Sequence, residues 1–169
     1  MHKAQRKSRV QAAERRKATM ARIITCAEKA VIPYGQVPTI ESIAASAETT
    51  TKLVASLYGG RSPLFTEILR PRLILALEQA QGEDNGLELI MAFNDFAMEY
   101  FPFFHILREE AREGLVELFI DFFDTPTPVY HEALRRAAIG ILSPGWRIDT
   151  STSLFFLKAL TERNSYPIV

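Results

Sequence analysis

The chain has few of the residues on which disulfides, secretory signals and membrane spans depend. Cys26 is the only cysteine among 169 residues, so an internal disulfide is excluded. The longest run without Asp, Glu, Lys or Arg covers residues 30–40, well short of the roughly 18 apolar residues that a spanning helix needs. Glu28 and Lys29 also interrupt the first apolar helix, where a secretory signal requires a continuous apolar core. We expect a cytoplasmic protein with no membrane partner.

Catalytic and metal-binding patterns are equally scarce. The histidines are His2, His105 and His131, and the sequence has no H-E-x-x-H motif, no paired cysteines and no glycine-rich phosphate loop. His105 and Glu109 lie one helical turn apart, but no third ligand follows from the spacing, which favours a hydrogen bond on a helix surface over a metal site. We therefore predict no enzyme activity, no metal and no cofactor.

Helix start and stop signals are concentrated in residues 38–64. Thr39 and Thr50 are each suited to cap the N-terminus of a short helix, and Gly59 with Gly60 ends the second one. The apolar side chains expected to face inward are Ile40, Ile43, Ala44 and Ala47 on the first helix, and Leu53, Val54, Leu57 and Tyr58 on the second. Two short helices joined by a tight turn are typical of a DNA-reading helix-turn-helix.

A fourth helix is predicted from Pro63 to about Ala80. Ser62 is the expected cap, and Pro63 at the first helical position loses no hydrogen bond that it needs. Pro71 lies inside this helix and should kink it or split it after Arg70.

Charge divides the sequence into a basic and an acidic part, although the formal net charge is +0. Residues 1–72 hold 13 Lys and Arg against 5 Asp and Glu, whereas residues 73–169 hold 7 against 15. We expect residues 1–20 to be a flexible arm that follows DNA phosphates or enters a minor groove. The alternatives are a solubilising tail and an arm that binds RNA or a membrane surface.

The segment 39–64 resembles the DNA-binding domain of the TetR (tetracycline repressor) family. The family pattern is roughly T-x-x-x-I-A-x-x-A-G-V-S-x-G-x-L-Y-x-Y-F-x-S-K-x-x-L, and it aligns without a gap. The agreeing or similar residues are Ile43, Ala44, Ala47, Thr50, Tyr58, Arg61 and Leu64. Three departures from the pattern matter and make the recognition helix divergent: Glu48 replaces the turn glycine, Lys52 a small residue, and Ala55 a tyrosine that commonly touches a phosphate.

The resemblance implies an all-α protein in two parts. Residues 21–70 would be a three-helix DNA-binding domain, and residues 71–169 a helical ligand-binding, regulatory and dimerisation domain. The last two helices, predicted over 129–142 and 150–163 around a turn at residues 143–145, would form the homodimer interface about residues 129–163. Trp146 would either anchor that interface or cover the edge of the core.

The candidate DNA contacts lie on the helix-turn-helix and the basic arm. Because Leu53, Val54 and Leu57 are expected to face inward, the recognition helix from Thr51 to Tyr58 would turn its polar side chains toward double-stranded DNA. The candidate residues are Arg16, Lys17, Thr39, Thr49, Thr50, Thr51, Lys52, Ser56, Tyr58 and Arg61.

Aromatic residues are dense between positions 93 and 123, with a break expected at Gly114. Such side chains either line a pocket for a small apolar or aromatic effector or form ordinary core. The candidate pocket residues are Phe93, Phe96, Tyr100, Phe104, His105, Phe119 and Phe123.

Two functions fit these features. The first is a transcriptional regulator, by analogy a ligand-responsive repressor, that binds a near-palindromic operator as a homodimer. The alternative is a TetR-like dimeric interaction module that has lost sequence-specific DNA binding, because Glu48 places an acid at the turn and Ala55 removes a phosphate contact.

Overall fold

The structure is a computed structural model that describes residues 2–81, 85–123 and 128–142. These residues form helices and turns without any strand, so the predicted all-α class is confirmed for this part of the chain. The helices are α1 (His2–Ala30), α2 (Ile40–Ser46), α3 (Thr51–Tyr58), α4 (Arg61–Gln79), α5 (Asn85–Glu99), α6 (Phe101–Phe104), α7 (Glu109–Ile120) and α8 (Pro128–Leu142).

The second half of α1, α2, α3 and the start of α4 enclose an apolar core. This unit is called the reading head, after the role that the sequence predicts for it. Ile23, Ala27 and Val31 recur at four-residue spacing, and all three are buried. The partners that complete the core are Ile43, Ala44, Ala47, Val54, Tyr58, Leu64 and Phe65. With 7 and 8 residues, α2 and α3 are too short to persist alone in water, so burial in this core stabilises them.

Local capping sets the ends of α2 and α3 as the sequence predicts. The Thr39 hydroxyl accepts a hydrogen bond from the Ser42 N–H at 3.1 Å, and the Thr50 hydroxyl accepts one from the Leu53 N–H at 3.2 Å. Gly59 ends α3 in the left-handed conformation, with φ of 74°. The predicted bounds of the recognition helix, Thr51 to Tyr58, are confirmed.

Ser62 does not cap α4, which corrects the prediction. The helix begins at Arg61 after Gly60, and no side chain caps it. The Ser62 hydroxyl is buried and instead accepts a hydrogen bond from the Arg108 N–H at 2.9 Å. The Ser62 hydroxyl therefore makes a tertiary hydrogen bond to a residue 46 positions later instead of the local cap that the sequence predicts.

Pro71 was expected to kink or split α4, and the split is wrong, because the helix is continuous from Arg61 to Gln79. Proline removes one backbone hydrogen bond, to the carbonyl of Glu67. Both Glu67 and Pro71 are exposed, so water can solvate that carbonyl. Buried leucines on either side, Leu69 and Leu73, hold the two halves of α4 in one core.

The helix break expected at Gly114 is also absent, since Gly114 lies inside α7. A glycine within a helix costs about 1 kcal/mol relative to alanine. Leu115, Val116, Phe119 and Ile120 follow it on the buried side of the same helix. Their burial outweighs the conformational penalty at one exposed position.

The N-terminal segment differs from the flexible arm that we expected. Residues 2–20 continue directly into α1, which runs from His2 to Ala30. The segment lacks glycine and proline and is rich in Ala, Gln, Lys and Arg, all good helix formers. From residue 10 to residue 18 every side chain is exposed, so this part of α1 projects its charge into solvent.

The remaining helices pack around α4 and continue the same apolar core, and they are called the body around α4. This helix packs against α1 on the reading-head side and against α5 and α7 on the other, while α8 packs against α5 and α7. Arg135 of α8 pairs with Glu117 of α7 at 2.6 Å, and this hydrogen bond raises the pKa of the guanidinium. α4 is therefore the element shared by both parts of the molecule.

Several expectations concern residues outside the described ranges. These are the turn at residues 143–145, Trp146, and the last helix over 150–163, which includes half of the expected dimer interface. The preceding helix is described, and its bounds, Pro128–Leu142, agree with the prediction to one residue. A helix able to cross a bilayer is not found in the described ranges, where each helix is too short or too polar.

Candidate nucleic-acid interface and the adjoining groove

Helix α3, predicted from the sequence to be the recognition helix, exposes polar side chains on one face. Thr51, Lys52 and Ser56 are exposed, whereas Val54 and Tyr58 are buried against the reading-head core. Ala55 lies on the same exposed face and offers no hydrogen-bonding group. The face thus presents two hydroxyls and one ammonium group, which are groups that bind phosphate oxygens and base edges.

The other candidate contacts surround this face. Arg61 is exposed at the first residue of α4, and Thr49 is half-buried in the turn before α3. Thr39 and Thr50 are exposed, but their hydroxyls already accept hydrogen bonds as helix caps. A hydroxyl that accepts from the backbone keeps its own proton, so both caps remain able to donate to a phosphate.

Leu53 is exposed, although helical periodicity placed it inward. Its exposed fraction is 40%, against 0% for Val54. An apolar side chain on the open face of a recognition helix can contact a thymine methyl group in the major groove. Sequence reasoning missed this residue, because a short amphipathic helix does not distinguish a residue at the edge of its apolar stripe from one at the centre.

Tyr58, a predicted DNA contact, packs in the core of the structure. It is 8% exposed, and its hydroxyl donates to the Met20 carbonyl of α1 at 2.9 Å. Burial, and secondarily the nearby Glu67 carboxylate, raise the pKa of the phenol. This hydroxyl joins the end of α3 to α1 and is directed away from the exposed face.

Replacing Tyr58 with phenylalanine is expected to lower the free energy of unfolding by about 0.5–1.5 kcal/mol at pH 7, because one hydrogen bond is lost. The raised pKa favours the folded protein below pH 10, and that contribution disappears as pH rises through the tyrosine pKa. The difference between wild type and variant should therefore shrink above about pH 10. Urea unfolding at pH 7 and pH 10.5 measures both effects, with Tyr34→Phe as an exposed control. An equal loss in the two variants would contradict this role.

The turn between α2 and α3 keeps a left-handed residue where the family pattern has glycine. Glu48 has φ of 49°, and its N–H donates to the Ala45 carbonyl at 3.1 Å. Only glycine adopts this conformation without a steric penalty, which for other residues is about 1–2 kcal/mol. Glu48 therefore holds this turn in a backbone conformation that is strained for a residue other than glycine.

We expect Glu48→Gly to raise the free energy of unfolding by about 0.5–1 kcal/mol, because relief of strain exceeds the added entropy of the unfolded chain. Glu48→Gln is the matched control, since it removes the charge and keeps the strain. Thermal unfolding should therefore distinguish glycine from glutamine. If both variants have the same Tm as the wild type, the backbone at this position is not strained.

The exposed, basic part of α1 precedes the part of the same helix that packs in the reading head. Arg15, Arg16, Lys17 and Arg22 are all exposed, and among residues 10–22 only Glu14 opposes them. These side chains place positive charge on the solvent-exposed surface of α1, the helix that packs against α2. Arg16 and Lys17 are therefore exposed to solvent, and their contact with phosphates stays a prediction.

The candidate pocket residues do not line one common cavity in the structure. Phe93 and Phe119 are fully buried, and their rings stack with centroids 4.2 Å apart. Phe119 also meets Phe123 edge to face at 5.2 Å, and Phe104 is buried beside Phe96. These rings fill the body around α4 by packing on one another.

His105 and Phe101 are on the surface of this body. The imidazole is exposed and meets the edge of the Phe101 ring at 5.1 Å between centroids. His105 is therefore separated from the stacked rings that were grouped with it in the candidate pocket.

An open groove lies between α4 and α5, and Phe96 and Tyr100 contribute to its wall. Its volume is about 380 Å³, within the range of small-molecule sites. The lining residues are Arg72, Leu75, Ala76 and Gln79 of α4, with Ala92, Asp95, Phe96, Glu99 and Tyr100 at the other side. The two aromatic residues are nearly buried, whereas Leu75 is 53% exposed at the rim.

Arg72 connects this groove to the reading head. Its guanidinium donates to the carbonyls of Glu28 and Val31 at 2.8 and 2.6 Å, and to the Tyr100 hydroxyl at 3.1 Å. The charge also lies 5.4 Å from the centroid of the Tyr100 ring. Carbonyls at the end of a helix have no partner within it and carry partial negative charge, so a cation stabilises the end of α1.

A backbone hydrogen bond reinforces the same junction. The N–H of Tyr34, in the connection between α1 and α2, donates to the Glu99 carbonyl at 2.7 Å. One residue of α4 and the C-terminal end of α5 thus hold the end of α1 and the following connection. We call this set, Arg72, Tyr100, Glu28, Val31 and the Tyr34–Glu99 bond, the junction.

Across residues 2–81, 85–123 and 128–142, no three His, Cys, Asp or Glu side chains come together as metal ligands would. The chemistry available at the reading head is hydrogen bonding and charge, and at the groove it is apolar contact, aromatic faces and carboxylates.

Comparison with known proteins gives one structural likeness. No family model and no curated protein matches the chain. It is similar to the crystal structure of a TetR-family transcriptional regulator from Streptomyces coelicolor, with 14% sequence identity, 86% of this chain and 80% of that chain covered, and a TM-score of 0.49. At this level of similarity the helix-turn-helix assignment depends on the geometry of the chain's own helices.

Proposed function

We propose that the protein is a DNA-binding transcriptional regulator, and that its reading head binds the major groove through α3. The observation that carries this proposal is the exposed face of α3, where Thr51, Lys52 and Ser56 stand free on a helix whose opposite face is buried. A recognition helix requires this arrangement, because base edges and phosphates are read by side chains that the core does not use.

Charge supports the same orientation. The excess of Lys and Arg lies in residues 1–72, which contain the reading head, and the excess of Asp and Glu lies in the remainder. DNA attracts the first and repels the second, so the acidic body should point away from the duplex.

We further propose that the protein acts as a homodimer on a near-palindromic operator. Two recognition helices must lie about 34 Å apart to enter successive major grooves on one side of the duplex. α8 with the helix expected over 150–163 is the proposed interface, as in the resembled family. Pairing of two weak half-sites also multiplies affinity.

Response to an effector would operate through the junction. A ligand in the groove contacts Tyr100 and Arg72, and Arg72 holds the end of α1. If the ligand binds more tightly to one arrangement of these residues, it shifts the population of reading-head positions and so the affinity for DNA. Repression, by analogy with the resembled family, is the proposed sign of control.

A dimeric interaction module without DNA binding is the second candidate. Two observations favour it: Ala55 offers no hydrogen-bonding group on the exposed face of α3, and the Glu48 carboxylate is exposed at the turn beside that face. This candidate predicts that DNA binding, if present, depends on charge alone.

The test is selection of bound duplexes from a random pool by the full-length protein, followed by titration of the selected sequence over a range of salt concentrations. We expect enrichment of a near-palindrome. The slope of log affinity against log salt is negative, and Lys52→Ala should reduce its magnitude by about two, because each protomer loses one phosphate contact. Arg70→Ala, which removes an exposed charge of the same sign on α4, is the matched control.

Each outcome separates the two candidates. Enrichment of a palindrome and a selective effect of Lys52→Ala support the regulator. Weak binding of all duplexes, with equal effects of the two substitutions, supports the interaction module.

A further inference from the structure

We propose that the groove between α4 and α5 binds an organic cation, namely an aromatic or compact apolar body that carries a protonated amine or a quaternary ammonium group. Such binding can be tested without DNA, whereas its role as an effector rests on the proposed function. The inference follows from the distribution of apolar surface and charge around the groove.

The wall of the groove suits a flat apolar body. Phe96 and Tyr100 are 3% and 6% exposed, and their ring centroids are 5.1 Å apart. Ala76 of α4 and Ala92 of α5 also line the groove with small side chains, and Leu75 extends the apolar surface to the rim. The two rings form a rigid, nearly buried wall, and Leu75, 53% exposed, supplies apolar surface that a bound apolar group would remove from water.

Two carboxylates supply the charge of the groove. Asp95 and Glu99 lie four residues apart on α5 and both line the groove. Like charges at this spacing repel each other on a helix. Neither forms an ion pair in the described part of the chain, where the pairs join Arg135 to Glu113 and Glu117, and Arg136 to Glu132. A bound cation would neutralise this repulsion.

Arg72 is the one basic residue that lines the groove, and its charge is already engaged. Its guanidinium donates to two carbonyls at the end of α1 and to the Tyr100 hydroxyl. Two carboxylates against one engaged guanidinium leave the lining with a net negative charge. The groove therefore favours a cation over an anion of the same shape.

The experiment uses three probes that share a 1-naphthylmethyl body and differ in the charge of the attached group: (1-naphthylmethyl)trimethylammonium, 1-naphthylmethanol and 1-naphthylacetate. Titration calorimetry with the full-length protein should give at least tenfold tighter binding of the ammonium ion than of the alcohol, and weaker binding still of the carboxylate. The Asp95→Asn/Glu99→Gln double variant should lose the tenfold preference while its affinity for the alcohol stays the same.

Glu109→Gln/Glu110→Gln is the matched control, because it removes two exposed carboxylates from the first turn of α7, away from the groove lining. It should retain the preference for the cation. The proposal is overturned if the carboxylate binds best, if the alcohol equals the ammonium ion, if both double variants behave alike, or if none of the three probes binds at millimolar concentration.

These outcomes are independent of DNA binding. A protein that selects a palindrome but ignores the ammonium ion would retain the proposed function and lose this site. A protein that binds the ammonium ion but no specific duplex would retain the site and lose the proposed function.

Discussion

Replacement of Phe93 with alanine is expected to lower the free energy of unfolding by about 3–5 kcal/mol. The side chain has no exposed surface, and its ring stacks on Phe119 with centroids 4.2 Å apart. Truncation removes most of that contact area and leaves a cavity between α5 and α7, since close-packed helices relax only in part. Urea denaturation followed by circular dichroism measures the change.

Phe101→Ala provides the control for the same truncation at the surface. Phe101 is 36% exposed at the start of α6, so its loss should change the free energy of unfolding by about 1 kcal/mol or less. The comparison also decides between two interpretations of the aromatic segment. A small effect of Phe93→Ala, equal to that of Phe101→Ala, would mean that the Phe93 ring borders open space, as the pocket interpretation requires.

The ends of α2 and α3 depend on neighbours in the sequence, and here prediction and structure agree. Thr39 and Thr50 cap helices through an N–H three residues later, and Gly59 ends α3 through its own backbone conformation. A short polar side chain before an apolar repeat is sufficient to identify such ends. The bounds of α3 followed from these signals.

Features that depend on tertiary contacts were missed. The Ser62 hydroxyl bonds to a residue 46 positions later, and Arg72 reaches carbonyls 44 and 41 positions earlier. An arginine near the middle of a predicted helix gives no local sign that it binds the end of another helix. The junction depends on the relative positions of α1, α4 and α5, which local sequence patterns do not specify.

The aromatic segment was ambiguous for a different reason. Aromatic rings at helical spacing satisfy the requirements of a packed core and of a pocket wall equally well. Phe93 and Phe119 belong to the core, whereas Phe96 and Tyr100 reach the groove. Packing between helices decides which ring faces which space, and that packing is not encoded in the spacing of one segment.

Arg72→Met should affect both stability and any effector response. Methionine keeps an apolar stem of similar length and removes the guanidinium, with its hydrogen bonds to Glu28, Val31 and Tyr100. Since Arg72 is half-buried and water can replace part of this bonding, we expect a loss of about 2 kcal/mol in the free energy of unfolding. Arg70→Met, at an exposed position of the same helix, should change stability by about 0.5 kcal/mol or less.

Amide hydrogen exchange locates the same effect within the chain. Loss of the cation at the end of α1 should speed exchange of Val31 and Tyr34 by about tenfold or more, because each 1.4 kcal/mol of local stability corresponds to a factor of ten. Val31 donates its N–H to Ala27 at 2.9 Å, and Tyr34 donates to Glu99 at 2.7 Å. Unchanged exchange at both amides would show that Arg72 does not hold this end of α1.

The response to ligand separates binding from transmission. Removal of a positive charge from the groove should leave binding of the naphthyl ammonium ion intact or make it tighter, because Asp95 and Glu99 then act unopposed. The same variant should lose the effect of that ion on DNA affinity, since the ligand no longer reaches the end of α1 through Arg72. A variant that binds the ion and still responds to it would place the coupling elsewhere along α4, whose packing against α1 would then be sufficient.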